Sequence, residues 1–230
     1  MGTHDGHRDR LRQRFLEHGL DNFSELNALE LLLFYSIPRQ DTNALAHRLL
    51  DQFQTLAGVL EAKIEDLMKV PGVGENTAAL LKLIPQMDRR YLISKNQDQK
   101  QILCSDDAGK VLIPRYRFAR DEIIYLLSLD SRNMIISCDE MGRGTLGEAS
   151  VSVRSVVETA LKRNAAAVIL SHNHVDGFAY PSQADLSATK QIRSALKLVG
   201  ITLSDHIVVA GDDYVSFADS GFLTMNEYYP

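Results

Sequence analysis

Cysteine is scarce in this sequence. Cys104 and Cys138 are the only two, they lie far apart, and no C-x-x-C pair occurs. That excludes a disulfide framework and a multi-cysteine zinc ribbon, and it fits a reducing compartment. Positive charge is not in excess either. The formal net charge is -5, and residues 1–92 hold 11 Lys/Arg against 13 Asp/Glu while residues 93–230 hold 14 against 17. Neither half is a basic module, which argues against a protein that wraps nucleic acid by bulk positive charge. Long hydrophobic runs are missing too: the longest candidates, near 31–37 and 165–170, fall far short of the ~18 residues a membrane helix needs. The N-terminal MGTHDGHRDRLRQRF is too polar for a signal peptide, and Gly6 stands where a myristoylation pattern needs Ser or Thr. A soluble, cytoplasmic protein with no membrane partner is expected.

What is present is the ordinary mix of a globular protein, 45% hydrophobic and 24% charged. At 230 residues the chain makes one large domain or two small ones, and it can fold without disulfide or metal. Up to residue 94 the apolar period is helical. Helices are expected over 8–20, over 24–36 with Pro38 stopping it, from an Asp41 N-cap through Leu45, Leu49 and Phe53, over 63–69, and over 75–91. Residues 95–109 are polar and aperiodic and read as a linker. From 110 on the character changes: strands are expected at 123–129, 134–137, 150–153, 166–170 and 207–209, with helices at 156–163 and 183–198. Domains of 1–94 and 110–230 follow, the second an α/β sandwich with a mixed sheet.

The segment richest in chemistry is Ser171-His172-Asn173-His174, with Ser182-Gln-Ala-Asp185 following after seven intervening residues. Alternation along a strand puts residues i and i+2 on one face, so His172 and His174 can point at one ion. Asp185 enters from the first turn of the next helix and adds a carboxylate oxygen. Three N/O ligands with one open position are what a catalytic zinc needs. Ser182-x-x-Asp185 before an apolar helix is also a plain capping box, sufficient by itself to explain both residues. Other zinc folds fit worse: there is no H-x-E with P-C-x-x-C for a nucleobase deaminase and no H-E-x-x-H for a thermolysin-type helix. The metallo-β-lactamase pattern needs a further histidine where Gly177 stands. For a general base, spacing alone leaves Glu122, Glu140 and Glu148 open.

The His172-x-His174, Ser182-x-x-Asp185 spacing resembles the JAMM (JAB/MPN+) metalloproteases. Gly144-Thr-Leu, the run 164–170, Pro181-Ser182, Gly200-Ile201 and Asp205-His206 resemble its bacterial RadC branch over essentially the whole chain. The resemblance implies a cytidine-deaminase-like fold and a Zn2+ held by His172, His174, Asp185 and a water. It also implies Glu122 as general base and Ser182 as oxyanion donor, in hydrolysis of a peptide or isopeptide bond of a protein substrate. Two motifs depart from the family: Val175-Asp176 replaces Pro-Ser after the second histidine, and Ser152-Val153-Arg154-Ser155 replaces His-Pro-Arg-Glu. All proposed ligands survive, so the departures bear on the loop that would hold a substrate.

In the helical half, Val70-Pro71-Gly72-Val73-Gly74 resembles a helix-hairpin-helix turn. Gly72 and Gly74 would let backbone N–H groups approach a DNA phosphate, with Lys69 beside them. Basic residues are sparse there, so such binding would be weak and sequence-independent. The second functional class is therefore a DNA-repair-associated accessory protein whose zinc is structural or vestigial. Oligomeric state leaves no trace in the sequence.

Overall fold

The computed structural model describes residues 5–38, 40–96, 98–144, 151–175 and 177–223. Two compact units divide at Met1–Asp88 and Arg89–Pro230. The first is helical: α1 (Asp5–His18), α2 (Glu25–Leu33), α3 (Asn43–Phe53), α4 (Leu56–Glu61), α5 (Ile64–Leu67) and the start of α6 (Glu75–Lys95). Leu29, Leu33, Leu45, Leu49, Val59, Leu67 and Leu81 form its centre, each removed from water, and burying such a side chain stabilises by about 1.5–3 kcal/mol. Ser24 caps α2 by accepting from the Asn27 N–H. Asp41 does cap the next helix region, accepting from the Asn43 N–H at 2.9 Å, but the N-cap position belongs to Thr42. Helix α4 was not expected from period. It is too short to show one, and it starts on a Thr55 hydroxyl that accepts from the Gly58 N–H. Gly58 has to be glycine, because a Cβ there would lie 2.2 Å from the Phe53 carbonyl oxygen.

The second unit is an α/β sandwich, as the pattern of elements implied. Its elements are α7 (Ser105–Tyr116), β1 (Ile123–Leu129), β2 (Ile135–Arg143), α8 (Val153–Lys162), β3 (Ala167–Asn173), α9 (Gln183–Leu198), β4 (Thr202–Ala210) and β5 (Asp213–Ser216). The strands form one sheet in the order β2-β1-β3-β4-β5. Only β3 and β4 run parallel among the ladders described. Parity sorts the side chains into two cores. Ile123, Tyr125, Leu127, Ala167 and Ile169 pack with Ala108, Val111 and Leu112 of α7. Ile124, Leu126, Val168 and Leu170 pack with Val156 and Ala160 of α8 and Ile192 and Leu196 of α9.

Three expectations change. The stretch expected as a linker over 95–109 contains the end of α6 and the start of α7, and the division between the units falls at 88/89 rather than 94. Helix α7 carries Gly109 and Pro114, which blur its period, yet Gly109 is where Tyr214 packs, 3.2 Å from the position of a Cβ. The strand expected at 150–153 is not one over its described residues. Ser152 caps α8 in a reciprocal capping box with Ser155, and Val153 opens the helix. The paired hydrogen bonds of that cap outweigh the weak strand preference of a lone valine.

Candidate metal centre

Strand β3 ends in Ser171, His172 and Asn173, all buried. His172 shares the parity of Val168 and Leu170, so it faces α9, and His174 follows on the same side. Helix α9 starts with Ser182 as N-cap, and its first turn brings up Asp185. The ligand atoms of His172, His174 and Asp185 lie within 4.8 Å of one another. His172 Nε2 is 3.1 Å from His174 Nε2 and 3.2 Å from Asp185 Oδ1; His174 Nε2 is 3.7 Å from Asp185 Oδ2.

The two carboxylate oxygens are differently engaged. Oδ2 accepts from the Ser182 N–H at 2.8 Å and from the Ser182 hydroxyl at 2.6 Å. Oδ1 is the oxygen turned to His172. Burial pushes the Asp185 carboxyl up, but when His172 is protonated its hydrogen bond and charge, together with the Ser182 donors, outweigh it and hold the carboxyl well below the usual carboxylate range. The His172 contribution needs a proton on Nε2 and the Ser182 contribution does not.

The donor chemistry suits a cation. His174 Nδ1 lies 3.1 Å from the Phe178 carbonyl oxygen, which can only accept, so the ring's proton sits on Nδ1 and a lone pair remains on Nε2. That lone pair points at a second imidazole nitrogen beside an ionised carboxylate. Two nitrogen donors and one oxygen donor converging from rigid elements form a set that zinc accepts. Behind them, His172 Nδ1 lies 2.9 Å from His206 Nε2, and His206 Nδ1 lies 2.6 Å from the Thr189 hydroxyl. His206 is fully buried, and burial, with His172 nearby, pushes its pKa well below the ordinary histidine range. His206 reaches this face because β4 carries an extra residue. The register slips between Val168 and Ile169, so Leu203 pairs with the first and Asp205 with the second, which turns His206 to the α9 side. Asp205 anchors that bend, accepting from the Ser216 hydroxyl at 2.6 Å and the Ala218 N–H at 2.9 Å.

Of the three candidate bases, two lie among the described residues, and their surroundings differ. Glu148 lies outside the described residues. Glu140 accepts from the Tyr125 hydroxyl at 3.2 Å and from Arg143 Nε at 3.2 Å, and Tyr125 belongs to the core under α7. Glu122 precedes β1 with the parity of Ile124 and Leu126, which is the parity of the α9 face. It is half-buried, and its backbone is pinned. Asn173 Oδ1 accepts from the Ile123 N–H at 2.7 Å, Asn173 Nδ2 donates to the Asp121 carbonyl at 3.2 Å, and the Glu122 carbonyl accepts from the Gly144 N–H at 2.9 Å. Asn173 and Thr189 carry no role in the sequence reading. Thr189 had one available signal, its place one helical turn after Asp185.

In the helical unit, Gly72 takes φ +99, and the backbone around it is held by Arg48 Nε donating to the Pro71 carbonyl at 3.1 Å. Lys69 Nζ donates to Asp66 Oδ1 at 2.7 Å. Gly74 has open space where a Cβ would be. No described helix is long and apolar enough to cross a membrane.

Comparison with known proteins bears on the same segments. A model described as "RadC-like JAB domain" matches residues 102–222, and one described as "UPF0758 N-terminal" matches residues 5–79. A UPF0758 protein of Fusobacterium nucleatum is 34% identical over 95% of this chain and 97% of its own length. One of Ruegeria pomeroyi is 39% identical over 94% of this chain and 97% of its own. The resemblance read from the histidine segment is thereby borne out at family level: with its helical N-terminal unit and its mixed-sheet C-terminal unit, the chain belongs to the RadC-like JAB domain family.

Proposed function

We propose that this protein is a zinc-dependent hydrolase of a peptide or isopeptide bond. The observation that carries the reading is the convergence of His172, His174 and Asp185, whose ligand atoms lie within 4.8 Å of one another by the end of β3, the middle strand of the sheet. His172 Nε2, His174 Nε2 and Asp185 Oδ1 would hold the metal. Zinc in a three-ligand site supplies Lewis acidity, bringing the pKa of a water to about 7 and polarising a carbonyl.

The protein's own groups do the rest. Glu122 accepts a proton from the attacking water and delivers it to the leaving nitrogen. Asn173 fixes the backbone on both sides of Glu122, so the base is held by β1 and β3 rather than by a free loop. Ser182 holds Asp185 by its backbone N–H and its hydroxyl. To support an oxyanion the hydroxyl turns away from Oδ2, which keeps the Ser182 N–H as its partner.

Metal content of protein purified without added zinc tests this reading. One zinc per chain is expected, and His172→Ala, His174→Ala and Asp185→Ala should each lose most of it while keeping a cooperative melt. The core clusters contain none of these residues, so folding does not depend on the ion. Stoichiometric zinc in all three variants would sink the assignment.

A further inference from the structure

Resting on the metal-centre reading, we infer that His206 and Thr189 form a one-way hydrogen-bond relay that fixes which nitrogen of His172 faces the metal. The relay starts at a group with no choice. The Asp185 carbonyl oxygen can only accept, and the Thr189 hydroxyl lies 2.5 Å from it. The single hydroxyl proton must therefore point there, as serine and threonine do when they bond back to residue i-4 in a helix. Thr189 Oγ1 is left with lone pairs, so across 2.6 Å it can only accept, and His206 Nδ1 carries the proton that fills the gap. A neutral imidazole has one donor and one acceptor, so His206 Nε2 is the acceptor. Across 2.9 Å it takes the proton on His172 Nδ1. His172 Nε2 is then a bare lone pair, turned toward His174 Nε2 and Asp185 Oδ1.

Every link is set by the one before it, and the start and the end belong to the same residue. Asp185 supplies its side-chain oxygen to the metal position and its backbone oxygen to the relay that prepares His172. Burial makes the chain strict: Thr189, His206 and His172 are 3%, 0% and 2% exposed, so water cannot supply a substitute donor or acceptor. His206 and Thr189 touch neither substrate nor metal in this scheme. They are positioning residues.

Thr189→Val is the direct test, because it keeps the shape and removes the hydroxyl. His206 then loses the group that keeps its proton on Nδ1. It can turn over and donate from Nε2, which forces the proton of His172 onto the ligand nitrogen. Zinc affinity, read by competition with a chromophoric chelator, should fall about 10–100-fold, the usual cost of losing an outer partner of a ligating histidine. Thr189→Ser restores the hydroxyl and should stay within about threefold of the parent. His206→Gln keeps an acceptor toward His172 and should bind more tightly than His206→Leu, a second pair that does not depend on Thr189. Nitrogen-15 spectra of histidine-labelled parent at pH 8 should show His206 and His172 both protonated on Nδ1. Thr189→Val binding zinc as tightly as the parent, or His206 carrying its proton on Nε2, overturns the relay and leaves the metal reading intact. A parent that binds no zinc overturns the metal reading, and the relay with it.

Discussion

Glu122 and Ser182 should fail in different ways when altered. Glu122→Gln keeps shape and hydrogen bonding but cannot take a proton, so zinc should be retained while cleavage of a peptide library falls about 10²–10⁴-fold. Unchanged cleavage would move the base to another group, and Glu140 would be a poor heir because Tyr125 and Arg143 already hold its carboxylate. Ser182→Ala removes a cap that accepts from the Asp185 N–H at 3.1 Å and a donor to Asp185 Oδ2. The cap alone is worth about 1 kcal/mol of stability. A role at the oxyanion adds about 10²–10³-fold in turnover, so thermal melts run beside a cleavage assay separate the two. The convergence of His172, His174 and Asp185 was legible at this scale because local rules place them: strand alternation aligns His172 with His174, and the capping box sets Asp185 in the first turn of α9. His206 and Asn173 answer to no local rule. His206 reaches His172 across 34 residues of sequence, and Asn173 closes a contact with β1 that spans 50. Register decides such contacts, and register is not visible in one strand.

Elements were legible where their period was clean, and α9 spans the residues expected of it, 183–198. Strand β5 was missed because it has only four residues and none of its described side chains but Ser216 is buried; its ladder with β4 makes it a strand. The slip in β4 is the most consequential local irregularity, since in an unbroken register His206 would lie opposite Ser171 and face α7. Joining α8 to the sheet edge, Arg163 forks onto both oxygens of Asp139 on β2. Its hydrogen bond, outweighing the opposing effect of burial, holds the Asp139 carboxyl below its ordinary 3.8, and Ser137 adds a further donor. A depressed carboxylate pKa means that the folded state releases its proton more readily than the unfolded chain. The stabilisation is therefore fully present above the unfolded value and drains away as pH falls through and below it. Asp139→Asn should lower the urea midpoint at pH 7, and its gap to the parent should shrink steadily as pH drops from about 6 toward 3. A gap that stays constant would assign the loss to packing of the amide and not to charge.

Among the described residues, each hydrophobic cluster belongs to one unit. Two lie within residues 11–81, and the other two, with their partly buried neighbours, lie within 102–223. The His172, His174 and Asp185 group and the relay behind it stand wholly in the second unit. The sequence placed the boundary at the polar stretch after residue 94, since composition changes there. Contacts place it six residues earlier, inside α6, at 88/89. The difference has a physical cause. Arg90, Ser94 and Lys95 in the last turns of α6 are exposed, but Arg89 donates to the Tyr125 hydroxyl at 3.3 Å and Asn96 Nδ2 to the Lys110 carbonyl at 2.9 Å, so this end of the helix is tied to the sandwich. A segment can read as a linker by composition and still be structural by its hydrogen bonds. A protein of residues 89–230 is about 140 residues long, enough to bury roughly two thirds of its unfolded surface. It should melt cooperatively and bind zinc within about threefold of the full chain, because nothing in the ligand set or in the two cores lies outside it. The contrast with a protein of residues 97–230 carries the test. Removing the end of α6 strips the Arg89 and Asn96 bonds, and the shorter protein should melt at lower temperature while its zinc affinity, set by β3, β4 and α9, stays that of the longer one. Equal melting temperatures would return the boundary to the compositional break. Loss of zinc from the 89–230 protein would show that the metal centre needs the helical unit.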